Sequence, residues 1–493
     1  MVKPGDEIEI CGIYKSIYDL NSNLQNFFPL FKTYIEANYI SKINDIIDEE
    51  INEKDKKEII KLSKKINISK IIIDSIAPSI YGHELIKKAL AVSLFGGVTK
   101  DIEEKHKIRG DINILLLGDP GTAKSQILKY ILKIFPKALY TTAKGASGVG
   151  LTASVLKDNI SKEWVLVGGA LVLADKGICL IDEFDKMNIQ DRTYIHEAME
   201  QQTISISKAG IVTTLQARCT VIAAANPIEG KYDISKSIYE NVELTDPILS
   251  RFDLICPIKD IVDKKFDEYM ASNIINSNII SHPLGYEKID LLKIDVKQKK
   301  KEILSQEKLK KYIIYARKYI KPKINNINKD KLVNFYTKIR KENEACGGLK
   351  ISTRHFESLI RIAEAHSKIF LRNQVNNQDI DFSIQLFLEL FLQNQKYYVE
   401  KWLREKFLNY FHNEKSTIPF LMNILEKLFN EKLEYLKYFN EYNKKIKEIS
   451  IKKNKFEIEA NNLGFKIEDF YNKIEFKNKF YLENDDIICK LND

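Results

Sequence analysis

The sequence predicts an α/β protein built on a parallel sheet, followed by mostly helical segments. Two observations predict this class. Three continuous apolar runs, "INILLLG" (112–118), "GICLID" (177–182) and "CTVIAAAN" (219–226), each end in a turn or a polar residue, as strands buried on both faces of a parallel sheet do. Helical patterns lie between these runs and continue after them, and a length of 493 residues allows about three domains.

Taken in order, residues 1–70 open with "DEIEICGIY" after a Pro-Gly turn, an alternating strand-like piece, and a charged helical stretch follows. The strand at 7–14 is expected to be unpaired, an exposed edge. Residues 71–260 carry the apolar runs and form the α/β domain. Residues 261–304 are polar, show no periodic pattern and end in "KQKKK" (297–301), so they read as a linker with a weak resemblance to a nuclear-import signal. Residues 305–395 read as helices. Ser305 can cap one whose apolar positions are Leu309, Tyr312, Ile313, Ala316 and Ile320, with Pro322 closing it. Residues 396–493 read as a further small domain, mostly helical, with a strand-like end, "KFYLEND".

A formal charge of +9 permits a nucleic-acid partner without requiring one. The cysteines Cys11, Cys179, Cys219, Cys256, Cys346 and Cys489 form no Cys-x-x-Cys pair. That argues against a structural zinc site and fits a reducing compartment. No apolar run approaches membrane-spanning length, and "MVKPGDEIEI" has an early Pro and acidic residues where a signal peptide needs an apolar stretch. A soluble intracellular protein with no membrane partner is expected.

The chemistry begins at "GDPGTAKS", Gly118-Asp119-Pro120-Gly121-Thr122-Ala123-Lys124-Ser125. It resembles a Walker A phosphate-binding turn, with Ala123 in place of the usual last glycine. Gly118 and Gly121 let the backbone curl so that N–H groups converge on an anion, and the helix opening near Lys124 adds its positive end. Lys124 suits the β- and γ-phosphates, and the Ser125 hydroxyl suits Mg²⁺. In "CLIDEFDKM" (179–187), Asp182 and Glu183 stand at a strand end. Asp182 suits the Mg²⁺ shell and Glu183 the orientation of an attacking water. An Asp-Glu pair alone is often a solvated turn; downstream of a P-loop it reads as a Walker B site. Asn226, closing "VIAAANP", either helps place that water or caps the turn before Pro227, and beside the other two motifs the first reading is favoured.

Together "GDPGTAKS", "LIDEFDKM", "AAANP" and "LSRFD" (249–253) resemble the minichromosome maintenance (MCM) replicative helicase family, within the AAA+ ATPases. Two longer stretches, "SIAPSIYGHELIKKALAVSLFGG" and "DRTYIHEAMEQQTISISKAGI", are similar to its eukaryotic subunit-two branch. The resemblance implies an AAA+ P-loop NTPase: a parallel sheet core, a helical lid domain and a small C-terminal winged-helix-like domain. It assigns nucleotide contacts to Gly118 through Ser125 and the following Gln126, and makes Asn226 sensor 1. Arg251 becomes an arginine finger and Arg354, in "ISTRHFESLIR", sensor 2. Both serve the ATP site of the neighbouring subunit, with Glu357 nearby. Backbone around Ile80, Tyr81 and Gly82 touches the adenine. From periodicity alone, Arg251 would pair with Glu243 or Asp246, and Glu357 with Arg361 on a helix surface; the resemblance reverses that choice.

"TISISKAGIV" (203–212) alternates and then turns, which reads as a hairpin with Lys208 near its tip. Its family counterpart projects into a ring channel, which makes Lys208 a contact to DNA phosphates. "KGASGVGLTASV" (144–155) resembles the start of a second channel loop, the helix-2 insert. The implied partners are other MCM subunits in a hetero-hexameric ring, single-stranded and duplex DNA, and replication loading and activation factors. The implied cofactors are ATP and Mg²⁺, and the implied place is a nucleus or reduced remnant nucleus. An ATP-binding structural subunit with little turnover is the alternative. Of the family's N-terminal tier only "KPGDEIEICGIY" resembles a part, its final strand. The sequence is therefore either a fragment or strongly reduced, and no zinc is expected in it.

Overall fold

The computed structural model describes residues 4–6, 8–18, 31–42, 52–65, 67–102, 106–143, 148–157, 164–208, 210–228, 230–233, 235–259, 264–281, 303–324, 329–345, 347 and 349–407, and then 410, 425, 428–429, 432, 448–453, 456–457, 480–483 and 486–490. It forms two compact units. One comprises Met1–Thr337 and Ile351–Asn394, the other Lys338–Lys350 and Gln395–Asp493.

In the first unit, β1 (Ile8–Tyr18) pairs antiparallel with β2 (Phe31–Lys42) over its whole length. The expected unpaired edge strand is therefore corrected: it has a partner. "FKTYIEANYISK" is rich in Phe, Tyr and Ile, residues that favour a pleated chain. The charged helical stretch comes later, as helices Glu53–Ser63 and Ile68–Ser75.

A short antiparallel pair, β3 (Lys100–Ile102) and β4 (His106–Ile108), precedes β5 (Ile114–Gly118). Then come β6 (Ala138–Thr142), the hairpin β7 (Ala153–Lys157) and β8 (Trp164–Gly168), β9 (Ile178–Asp182), the hairpin β10 (Thr203–Lys208) and β11 (Ile211–Gln216), β12 (Thr220–Ala225) and β13 (Leu254–Ile258). Five strands form one parallel sheet in the order β13-β5-β12-β9-β6. The three apolar runs of the sequence are its three central strands, and every residue of β5, β9 and β12 is buried. Such burial follows from helices covering both faces. Helix Glu84–Phe95 is buried along most of its length, and helix Lys124–Ile134 buries Ile127, Leu128, Ile131 and Ile134.

The lid helices belong to this same unit. Ser305 Oγ accepts a hydrogen bond from Lys308 N at 3.4 Å, capping helix Gln306–Tyr319, whose Leu309, Tyr312, Ile313 and Ala316 are buried. The Tyr312 ring meets Phe95 edge-on at 5.9 Å. Helices Thr353–Ile369 and Asn377–Gln393 follow. Their region is tied to the sheet domain by polar bonds: Lys368 Nζ donates to Gly97 O at 2.6 Å, and Asn394 Nδ2 to Ile255 O at 3.0 Å.

Part of the stretch expected to be patternless linker is a helix, Lys264–Ser281. Its Tyr269, Ile274 and Ile275 are exposed, and no single apolar stripe marks it in sequence. The basic run at 297–301 lies outside the described residues. In the second unit, helix Tyr397–Lys406 accompanies a three-stranded antiparallel sheet of β14 (Glu448–Lys452), β15 (Phe480–Glu483) and β16 (Asp486–Lys490), in the order β14-β16-β15. The strand-like end of the sequence is thus one of three strands. Phe407, Leu425, Leu428, Phe429 and Phe456 are buried there.

Candidate nucleotide site

In a parallel sheet the ligand-bearing loops leave the carboxyl ends of the strands. Here β5, β12 and β9 are neighbours, with Leu117 opposite Ala225 and Ile181 opposite Ala223. That register brings the loop after Gly118, the Asp182–Glu183 pair and Asn226 to one edge.

Gly118 is required by close packing: a Cβ there would lie 2.6 Å from Ile258 O on β13. Gly121 takes φ +86, a left-handed conformation open to glycine. Ala123 takes φ +60 immediately before helix Lys124–Ile134, so the residue replacing the usual glycine sits in a conformation that costs a non-glycine about 1–2 kcal/mol. Such strain is commonly held where a site needs a fixed backbone shape. The Asp119 carboxylate braces the turn from outside, accepting from Tyr232 N at 2.7 Å, and Thr122 Oγ1 donates to Asp119 O at 2.7 Å.

Lys124 is buried, and its Nζ donates to Gly118 O at 2.6 Å and Asp119 O at 2.7 Å. Burial is the largest influence on it and lowers its pKa, while the charges of Asp119, Asp182 and Asp185 oppose the shift. A desolvated cation inside a loop of curled backbone is the charge that a polyphosphate can satisfy.

Asp182 ends β9 with both carboxylate oxygens oriented. Oδ2 accepts from Tyr140 OH at 2.9 Å, and Oδ1 from Glu183 N at 2.9 Å. Burial first, then the bond to Asp182, push the Tyr140 phenol up to about 12, so at neutral pH it stays a donor. Each Asp182 oxygen takes one neutral donor and keeps a lone pair. Among the described residues no three His, Cys, Asp or Glu side chains gather as a metal cluster. This donor set fits Mg²⁺, which is held by one or two protein oxygens with phosphate and water; Ser125 and Asp182 would be those two. Glu183 adopts φ +53 and pairs with Lys186 Nζ at 2.9 Å. Asn226 follows β12, its N–H donating to Asp185 Oδ1 at 3.0 Å.

The turn holding Ile80, Tyr81 and Gly82 is strongly bent, with positive φ at Ala77, Gly82 and His83. Lys87 Nζ donates to Ile80 O at 2.7 Å and to Ala77 O at 3.1 Å. Tyr130 OH, on the helix that Lys124 opens, donates to Ser75 O just before this turn at 2.8 Å.

The arginines gather in a second cluster. Arg251 follows helix Asp246–Leu249 and pairs with Glu200 through Nε, at 3.0 Å, and Nη2; its Nη1 donates to Pro247 O at 2.7 Å. Arg354 pairs with the other oxygen of Glu200 and donates to Ser250 Oγ at 3.2 Å. Neither Glu243 nor Asp246 is the partner expected from periodicity. The Glu357–Arg361 pair expected from periodicity exists, with Arg361 Nη2 donating to Glu357 Oε2 at 2.6 Å; Glu357 lies at the surface, 46% exposed, and Arg361 does not. Arg361 is buried, bound also to Asp253 and donating to Arg109 O at 3.0 Å. Asp253 further accepts from Asn113 N at 2.9 Å and from Arg109 at 3.1 Å.

In the hairpin, Ser207 faces Val212 and Lys208 faces Ile211 across the ladder. Ile204 and Leu215 are buried on one face, and Gly210 at φ +78 makes the turn. Lys208 is the last residue of β10. Of the stretch resembling a helix-2 insert, residues 144–147 lie outside the described residues; the rest leads into the β7–β8 hairpin. Sequence reading missed Tyr140, Glu200, Arg109 and the bracing role of Asp119, each of which acts through a partner remote in the chain.

Two family models match the chain: the MCM P-loop domain over residues 55–278 and the MCM AAA-lid domain over residues 307–391. Among curated proteins, it is 52% identical over 442 residues to the DNA replication licensing factor MCM2 of Oryza sativa subsp. indica, covering 88% of this chain and 46% of that one. With the MCM2 of Arabidopsis thaliana it shares 51% over 456 residues, 91% of this chain and 49% of that one. With the minichromosome maintenance protein MCM of Saccharolobus solfataricus it shares 42% over 395 residues, 80% and 54% respectively. The chain spans about half the length of the curated relatives it matches. With its parallel sheet, P-loop and lid, the chain belongs to the minichromosome maintenance family of AAA+ proteins.

Proposed function

We propose that this chain is an ATP-hydrolysing subunit of a hetero-hexameric MCM ring that unwinds duplex DNA in replication, in a nucleus or reduced remnant nucleus. The carrying observation is the division of the machinery into two clusters. Lys124, Asp182, Glu183 and Asn226 meet at the carboxyl edge of the sheet, while Arg251 and Arg354 meet on Glu200. Phosphoryl transfer needs a cation where charge builds on the transferring group. In this reading each cluster is half of a site, completed by an adjoining subunit.

In the chain's own half, the turn from Gly118 to Gln126 cradles the phosphates and Lys124 meets the β- and γ-oxygens. Bound Mg²⁺ supplies charge neutralisation there, held by Ser125 and Asp182. Glu183 orients water and Asn226 holds it in line. The turn at Ile80–Gly82 contacts the base. Arg251 and Arg354, with Glu357 beside them, serve the neighbour's nucleotide. The β10–β11 hairpin presents Lys208 to DNA phosphates, a grip without sequence preference that weakens with salt. The second unit acts as a winged-helix-like domain in protein or auxiliary DNA contacts, and loading and activation factors are further partners.

One observation favours a second reading, a subunit that holds ATP to close the ring with little turnover: the Glu183 carboxylate is engaged by Lys186. The test substitutes Lys124→Ala or Glu183→Gln in this subunit alone and measures ATPase and unwinding of the assembled ring. The account expects both rates to fall. Unchanged rates would leave the chain as the passive subunit.

A further inference from the structure

Glu200 has no role assigned from the sequence, yet it is where the two assigned arginines converge. Its Oε2 takes Nε and Nη2 of Arg251, and its Oε1 takes Arg354. The two guanidinium groups come from different elements, the turn after helix Asp246–Leu249 and the first turn of helix Thr353–Ile369. The shared carboxylate offsets the repulsion between the two guanidinium groups. Their spacing therefore brackets one anionic group that offers two oxygens, the chemistry that a terminal phosphoryl group also offers.

The bonds of the cluster divide by burial. Arg361, Asp253 and Arg109 lie deep, with side-chain exposures of 5%, 2% and 12%. Arg109 fixes the backbone on either side, donating to Met199 O at 2.8 Å and Arg251 O at 3.0 Å. These contacts hold the elements that carry the arginines. The guanidinium ends are both held by Glu200, whose side chain is 43% exposed, with one further bond each, to Pro247 O and to Ser250 Oγ. Exposed ion pairs are weak, and one anion exchanges for another at small cost. Partial burial alone would raise the Glu200 carboxyl, but Arg251, then Arg354 and Arg109, bring it below its ordinary value, so it is charged at neutral pH. Glu200 is also the penultimate residue of helix Ile189–Gln201, and β10 of the hairpin begins at Thr203.

We propose that Glu200 is a positioning residue and placeholder anion. It keeps Arg251 and Arg354 at the spacing of one phosphoryl group and yields them when nucleotide on an adjoining subunit arrives. The proposal rests on the reading that both arginines act in trans. Displacing the carboxylate at the foot of β10 gives nucleotide arrival a direct mechanical route to the hairpin.

A placeholder lowers the apparent affinity for the incoming anion, because only the fraction of arginine pairs that is free can bind it. Once displaced, Glu200 no longer holds the arginines, so it does not enter the rate of the filled site. Removing it therefore lowers KM and leaves kcat unchanged, whereas loss of a mere structural prop raises KM or lowers kcat. The test uses assembled rings in which only the neighbouring subunit's pocket can hydrolyse ATP, with Glu200→Gln in this chain. The expected result is a KM about threefold to tenfold lower at an unchanged kcat. Glu200→Asp, which keeps the charge but shortens its reach, should fall between. Arg251→Ala and Arg354→Ala, made in parallel, should slow that pocket; if they do not, the trans reading itself fails. If they do, while Glu200→Gln leaves KM unchanged, raises it or lowers kcat, the Glu200 proposal alone is overturned.

Discussion

Tyr140 shows how much of a site a motif leaves unsaid. The Asp182–Glu183 pair is legible because its chemistry is contiguous in the chain and ends an apolar strand. The hydroxyl that orients Asp182 comes from β6, two residues into a strand with no distinguishing pattern, and only the register of β6 on β9 brings it there. Replacing Tyr140 by Phe keeps the ring and removes one donor from the carboxylate proposed to hold Mg²⁺. Loss of such a supporting hydrogen bond commonly weakens metal affinity by about tenfold or more. In a fluorescent ATP-analogue titration, Tyr140→Phe should raise the Mg²⁺ concentration needed for half-maximal binding by about that factor, with the fold unchanged. An unaltered Mg²⁺ requirement would show that the bond does not position Asp182. The bracing bond of Asp119 and the position of Glu200 were illegible for the same reason: their residue types are common on surfaces, and their partners lie far off in sequence.

Elements were legible where one face is dry. β5, β9 and β12 are buried throughout and nearly all apolar because helices cover both sides of their sheet, and helix Gln306–Tyr319 shows a stripe because one side packs inward. Helix Lys264–Ser281 and β2 expose apolar residues, so periodicity says little about them. The docking of helix Thr353–Ile369 is a third case, since it depends on a lysine that pattern reading assigns to solvent. Lys368 is buried against Gly97 O, and burial first, then the nearby charge of Arg317, lower its pKa to about 8 despite Glu364 and Asp111. An unfolded lysine titrates near 10.4. Between the two values the unfolded chain holds the extra proton, so stability rises with pH across that window. The burden of the buried charge is fully present below about pH 8. Urea unfolding of wild type and Lys368→Met at pH 7.5 and pH 10 isolates this group, because all other titrations are shared. Wild type should gain on the variant by about 2 kcal/mol between the two pH values. An equal difference at both would mean that Lys368 is not buried as a cation.

At the scale of the whole molecule, the sequence showed a nucleotide site but not why its parts separate. Lys124, Asp182 and Asn226 lie on one sheet edge because their strands are neighbours. Arg251 and Arg354 are drawn together elsewhere by Glu200 and by the buried framework of Arg109, Asp253 and Arg361. That framework includes contacts between residues more than a hundred positions apart, which no local pattern encodes. The central claim is that one chain supplies complementary halves of two different sites. The most direct measurement is photo-crosslinking of labelled ATP, with single-turnover hydrolysis, in assembled rings carrying Lys124→Ala or Arg251→Ala in this chain. Lys124→Ala is expected to abolish labelling of this chain, whereas Arg251→Ala is expected to leave that labelling intact and slow hydrolysis of ATP bound to a neighbour. Loss of hydrolysis at this chain's own nucleotide in the Arg251→Ala ring, with the neighbour unaffected, would contradict the central claim.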